Sequence, residues 1–139
     1  MEAAKHKVME ARFFDIRNQA MPGGHSTKAV LFGGDNYHVW VHIDEPGKQG
    51  PMHKHTADQC FYCVEGECTF HFPNGESGKL EAGMAVVIPK GQLYQLHNTG
   101  REPMILFGSR AEAHGKARHT TKGAAIHNVK GQYVVESEA

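Results

Sequence analysis

Between Lys28 and Ser109 the chain is cut into short apolar runs by turn-forming residues, and this segmentation constrains the fold more than any other feature. The runs are 28 to 32, 37 to 43, 52 to 56, 59 to 64, 67 to 72, 84 to 88, 93 to 97 and 103 to 109. Among their separators are Gly33-Gly34-Asp35-Asn36, Asp44-Glu45-Pro46-Gly47, Glu65-Gly66, Pro73-Asn74-Gly75, Pro89-Lys90-Gly91 and Asn98-Thr99-Gly100. Runs this short match strands better than helices, and eight at this spacing predict an all-β sandwich or barrel. Sixteen glycines in 139 residues, above the average of about 7%, supply the tight turns such a fold needs. The length suits one core. The expected organisation is an N-terminal arm over 1–20, a barrel over 21–112 and a flexible tail over 113–139. The arm carries a helical stripe within 4 to 18 (Val8, Met9, Arg12, Phe13, Ile16), and Gln132 to Val135 is the tail's one candidate strand.

Charge narrows the partners. Lys plus Arg and Asp plus Glu are 15 each, so no net field attracts a phosphate backbone or an anionic bilayer, and neither nucleic acid nor membrane is expected as a partner. Residues 110 to 130 are locally basic (Arg110, Lys116, Arg118, Lys122 and Lys130 against Glu112), but without interleaved aromatics they read as a solvated tail with no function. Charges throughout the first twenty residues leave no apolar stretch for a secretory signal, and the run Met84 to Ile88 is too short to span a bilayer. A cytoplasmic location is the expectation. The three cysteines, Cys60, Cys63 and Cys68, cannot all pair within one chain and fit a reducing compartment. Cys60 and Cys63 are spaced Cys-x-x-Cys, but residues three apart on a strand point to opposite faces and cannot chelate together.

Eleven histidines are the second excess, and their positions matter more than their number. On a strand His53 and His55 share a face with Cα atoms about 6.5 to 7 Å apart, so two imidazoles can converge on one ion. Gln59, opening the next run, can offer its amide oxygen as a third ligand if that strand lies beside the first.

Gly47, five residues, His53-Lys54-His55, three residues, Gln59, six residues and Gly66 resemble the first motif of the cupins at every spacing, with Gln59 where a Glu is usual. Gly83, five residues, Pro89-Lys90-Gly91, two residues, Tyr94, three residues and Asn98 resemble the second, with Tyr94 in place of its His. The resemblance covers residues 47 to 98 and implies a cupin-type double-stranded β-helix, or jelly roll. It also implies one divalent metal held by His53, His55, Gln59 and Tyr94, and a homodimer.

The two departures bear on chemistry. An amide in place of a carboxylate removes a negative charge, leaving a bound ion more Lewis acidic and more weakly held. Tyr94 can coordinate as a phenolate, donate a hydrogen bond, move a proton for a substrate, or serve as an aromatic wall. His97 falls on the opposite face from Tyr94 by alternation. In the run 37 to 43, Tyr37, Val39, Val41 and Ile43 alternate with His38, Trp40 and His42. If the histidine set faces inward, His42 is a further candidate ligand. The ordinary exposure of histidine favours the other arrangement, with that set covered by the arm or a second subunit.

The family likeness implies an enzyme acting on a small molecule with adjacent oxygens, such as an enol, diketone or hydroxylated aromatic. Fe2+ is the favoured ion and would suit a dioxygenase; Zn2+, Ni2+ or Mn2+ would suit a cyclase, isomerase or lyase. A non-catalytic binding or sensing module is the alternative, because fold alone does not imply function. Tyr94 is the one candidate catalytic residue, since Asp58 points away from Gln59 on the strand.

Overall fold

The computed structural model describes residues 11–19, 27–113, 126–129 and 132–135. After one helical turn, α1 (Ile16–Gln19), come β1 (Thr27–Gly33), β2 (His38–Asp44), β3 (Gln59–Glu65), β4 (Glu67–His71), β5 (Ser77–Glu81), β6 (Ala85–Ile88), β7 (Gln95–His97) and β8 (Met104–Arg110). β9 (Ile126–Val129) and β10 (Gln132–Val135) form a hairpin of their own. The other strands make a five-stranded sheet, β1-β2-β8-β3-β6, and a three-stranded sheet, β5-β4-β7, all antiparallel. The two sheets pack face to face without closing into one hydrogen-bonded cylinder, the open jelly-roll form of the expected all-β fold.

The inner faces meet in a cluster of Trp40, Phe61, Cys63, Leu106 and Ile88 from the larger sheet with Cys68, Phe70 and Leu80 from the smaller. A second cluster, Leu31, Val41, Ile43 and Ile105, lies on the outer side of the larger sheet, where Ile16 of α1 covers it. β2 is therefore buried on both faces. The expected arrangement of its two side-chain sets is reversed: His38, Trp40 and His42 face inward, and Val41 and Ile43 face outward under the arm. Trp40 decides this, because its large apolar surface gains most from the central core, and the two-residue period carries both histidines in with it.

Three local expectations change as well. Residues 52 to 56 form no strand, only an isolated bridge at His53. β5 was not anticipated because Leu80 is its one buried side chain, so no apolar alternation marks it. Among the described residues of the arm, helix is confined to Ile16–Gln19, and residues 4 to 10 of the anticipated stretch lie outside the described residues. The candidate strand Gln132 to Val135 is present, paired with β9, which the sequence did not suggest.

Two glycines have specific steric work. Gly66, at φ 83°, turns β3 into β4, and a Cβ there would fall 2.8 Å from the Met104 Cα. Gly108 lies opposite Trp40 in the β2/β8 pair. A Cβ on it would come within 2.5 Å of the indole, so the ring lies against bare backbone.

Candidate binding site inside the barrel

The two halves of the motif pattern run against each other in opposite directions. Gly47 N donates to Asn98 O at 2.9 Å, Gly50 N to Leu96 O at 3.2 Å, His53 N to Tyr94 O at 2.9 Å with Tyr94 N returning to His53 O at 2.9 Å, and Gly91 N to His55 O at 2.9 Å. The buried Asn98 side chain secures the far end by donating to Asp44 O at 2.9 Å and Glu102 O at 3.0 Å. This ladder is why His53, His55 and Tyr94 meet. Ring centroids are 4.9 Å apart for His53 and His55, and 4.6 Å for His53 and Tyr94.

Gln59 arrives from elsewhere. Its strand pairs with β6 and β8, not with the segment carrying the histidines, so the expected route to the site through a neighbouring strand does not hold. It reaches Tyr94 across the interior, its Nε2 donating to the Tyr94 hydroxyl oxygen at 2.9 Å. Its Oε1 accepts from Arg110 Nε at 2.9 Å. Arg110 Nη2 lies 3.3 Å from His55 Nε2, and its guanidinium carbon is 4.7 Å from the centroid of the Trp40 ring. Lys28 of β1 places its ammonium 4.8 Å from the same ring.

Arg110 is the functional candidate that sequence reasoning missed. Read as the start of a solvated basic tail, it is instead the last residue of β8, opposite His38 on one side and Gln59 on the other. The signal was present: Leu106, Gly108 and Arg110 share strand parity, so extending the run 103 to 109 by one residue points the guanidinium inward.

Electrostatics follow from burial and these two cations. His53 is held below the ordinary imidazole range by desolvation; the Pro51 carbonyl opposes this and the charges of Arg110 and Lys28 add to it. Its Nδ1 lies 3.0 Å from Pro51 O and donates to it, which leaves the lone pair on Nε2. Burial pushes the Tyr94 phenol up to about 12, against the opposing pull of Arg110 and Gln59. Tyr94 is thus a neutral hydroxyl at pH 7 and does not act there as a free base. Cys63 and Cys68 are also desolvated, their thiols raised to about 11 and about 12, which keeps them inert.

The remaining candidates are engaged elsewhere. His42, although on the inner face of β2, lies 2.9 Å from Asp44 Oδ2 through its Nε2. His97 is on the opposite face from Tyr94, as alternation requires, with its Nδ1 3.0 Å from His71 Nε2. Among the described residues no group of three or more His, Cys, Asp or Glu is placed to hold a metal. A divalent ion suits the two imidazoles, whose tautomer at His53 is the one a ligand needs. Gln59 Oε1 and His55 Nε2 are shared with a guanidinium, which must withdraw before either serves an ion fully.

The family model described as a cupin domain matches residues 40–108. Auxin-binding protein 1 of Arabidopsis thaliana is 29% identical over 98 residues, 63% of this chain and 50% of that protein. The chain therefore spans about half the length of this curated relative. An uncharacterized conserved protein with a double-stranded β-helix domain from Klebsiella pneumoniae superposes with a TM-score of 0.67 at 26% identity, over 77% of this chain and 95% of that one. A cupin domain from Bordetella pertussis gives a TM-score of 0.55 at 18% identity, over 68% of this chain and 100% of that one, a likeness of fold alone. No helix among the described residues is long and apolar enough to cross a membrane.

Proposed function

This chain belongs to the cupin family, and we propose that its barrel binds a small organic molecule beside one divalent metal ion held by His53 and His55. Cupins often bind a metal. The observation that supports the ion here is the anchoring of His53 Nδ1 by the Pro51 carbonyl at 3.0 Å, which leaves Nε2 as the ligand atom, in a ring already kept neutral by burial. Bound Fe2+ would supply dioxygen chemistry on an enol, diketone or hydroxylated aromatic, and Zn2+, Ni2+ or Mn2+ would polarise a carbonyl for cyclase, isomerase or lyase chemistry.

The chain's own residues have narrower tasks. Gln59 joins Tyr94 to Arg110 and so fixes both heads. The Tyr94 hydroxyl, its oxygen already accepting from Gln59, keeps a proton it can offer to a ligand oxygen. With a pKa of about 12 it donates a hydrogen bond at neutral pH and does not abstract a proton.

A non-catalytic binding cupin is the second reading. It is favoured by the hydrogen-bonded cluster of Gln59, Tyr94, His55 and Arg110, which holds no carboxylate and whose one imidazole already faces a guanidinium through its Nε2. The relative named as an auxin-binding protein supports the same side. Metal analysis of protein purified without chelator tests the first reading. It expects about one ion per chain, lost in His53→Ala; equal occupancy in that variant would overturn it. A homodimer is part of the proposal too, since among the described residues β1 and β6 are the edges of the larger sheet and a symmetric pair would cover one of them. A monomeric mass by light scattering at micromolar concentration would contradict the dimer.

A further inference from the structure

The outer face of the five-stranded sheet is apolar across its width, although an antiparallel sheet with water on one side normally turns polar residues to it. Val41, Ile43 and Ile105 carry this character over β2 and β8, and Cys60, Tyr62 and Val87 carry it on over β3 and β6. Among the described residues the one charge that these strands turn to this face, Glu65 at the end of β3, is paired with Arg17 of the arm. Cover is uneven. The arm lies over one half and leaves a groove of about 580 Å3, with Arg12, Phe14 and Ile16 on one wall and Phe32, Tyr37 and Phe107 on the other. Tyr37 also borders a depression of about 260 Å3 beside Cys60, Val87 and Ser109, so the groove continues into the other half of the face. There Tyr62 and Val87 lie bare, and on the arm Phe13, between two groove residues, stands clear of the groove in solvent.

The exposed area bears on what covers this face. An aromatic side chain buries about 150–250 Å2 when covered. Phe13, Phe14, Tyr37 and Tyr62, at 94%, 39%, 49% and 43% exposure, therefore offer roughly 350–550 Å2 per copy, or about 700–1,100 Å2 over a symmetric pair. A specific interface takes about 1,200–2,000 Å2 in total, a difference that Val87 and the polar rim of such a contact can supply. The relief fits a second copy. One half of the face is raised by the arm and the other is bare, on either side of the central strand β8. Rotation by half a turn about an axis along β8 sets each raised half against the other copy's bare half, the self-complementarity that a two-fold contact requires. With 15 basic and 15 acidic residues, no net charge opposes the pairing. We infer that this face docks a second copy of the chain, outer sheet against outer sheet, with Phe13 of each arm laid on the Tyr62 and Val87 strip of the other copy. The inference rests on the homodimer reading and gives it a surface, since a pair joined by sheet edges would leave this face bare. It makes no use of the metal.

Tyr62 separates a face from an edge, because its strand β3 is flanked by β6 and β8 and its side chain belongs to the face alone. The dissociation constant of the pair is measured by analytical ultracentrifugation across a dilution series for wild type, Tyr62→Lys, Phe13→Ser and Ser77→Lys. Tyr62→Lys puts an unpaired charge into the contact and should raise the constant by more than about 100-fold. Phe13→Ser removes the protruding ring and should raise it by about tenfold or more. Ser77→Lys, on the exposed side of the smaller sheet, should stay within about twofold of wild type. If Tyr62→Lys fails to fold, Phe13→Ser, which lies outside every helix and strand, decides alone. Cys60 gives a second readout, since Cys63 and Cys68 are buried: its labelling by a thiol reagent should slow as wild type is concentrated and should not in Tyr62→Lys. A dimer that neither variant weakens would overturn the face and leave the homodimer standing. A monomeric wild type would overturn both, and uptake of an apolar dye by that monomer, lost in Tyr62→Lys, would give the face to a small apolar molecule instead.

Discussion

His53 and His55 stand inside the barrel with ring centroids 4.9 Å apart, and His71 and His97 stand on the outer face of the three-stranded sheet at 5.2 Å. The spacing is nearly the same and the chemistry is not. In the outer pair His71 Nε2 and His97 Nδ1 are 3.0 Å apart, so one ring donates to the other and the lone pair between them is consumed. In the inner pair His53 is held from behind by a backbone carbonyl, and its Nε2 keeps its lone pair. Closeness of two imidazoles does not make a ligand set; the direction of their lone pairs does. The difference originates in the backbone, because β4 and β7 place Thr69, His71, Gln95 and His97 in direct cross-strand register. His53 instead lies on a segment outside any strand, held to the opposing motif by isolated bridges at Gln49 and His53 and by the bond from Gly91 N to His55 O.

The sharpest way to break this comparison is to remove one ring from each pair. His55→Ala should weaken divalent metal binding by more than about 100-fold, beyond the 10- to 100-fold range known for outer-shell partners. His97→Ala should leave metal affinity within about twofold. Metal titration by calorimetry on both variants checks this, and equal losses would make the inner pair no more a ligand set than the outer one.

A smaller effect separates the histidines from the guanidinium beside them. Gln59→Glu adds a carboxylate, which on Coulomb grounds should tighten a divalent ion. With Arg110 in place the new charge is shared with the guanidinium, so the gain should be slight. In Gln59→Glu/Arg110→Gln the ion has the carboxylate to itself, and affinity should rise on the order of tenfold above the single variant. If the single variant already shows the full gain, Arg110 does not compete for the site.

The smallest effect belongs to the outer pair and is read by pH. Burial first, and His97 second, hold the His71 pKa below its ordinary 6.5. As pH falls below 6.5 the unfolded chain takes up the proton first. The contribution of His71 to stability is therefore fully present above that pH and is lost as pH falls through the folded value. Thermal midpoints between pH 7.5 and 5.5 should fall less steeply in His71→Gln than in wild type, while metal content at pH 7.5 should not change. Parallel slopes would show that the outer pair stores no pH dependence.

Much of this was legible before folding. The turn residues placed most of the strands of the two sheets, and the spacings from Gly47 to Gly66 and from Gly83 to Asn98 picked out His53, His55, Gln59 and Tyr94, which the fold does bring together. β5 was illegible because Ser77-Gly78-Lys79-Leu80-Glu81 buries one side chain, and a strand held by its backbone ladder leaves little trace in hydrophobicity. Arg110 was hidden differently: charge and a basic neighbourhood suggested solvent, and its parity with Leu106 and Gly108 carried the opposite message.

Alternation along a strand is local, so sequence alone determined which residues share a face: His53 with His55, Gln59 with Phe61 and Cys63, Tyr94 opposite to His97. Which face turns inward, and what stands across from it, is a property of pairings between residues far apart in the chain. The choice between the two sides of β2 fell to Trp40 and the glycine opposite it at 108, contributed by a strand 68 positions later. The partner of the Gln59 oxygen fell to Arg110, 51 residues away. A spacing pattern contains the reach of each side chain but not the identity of the group it meets, and in this barrel that group is a cation.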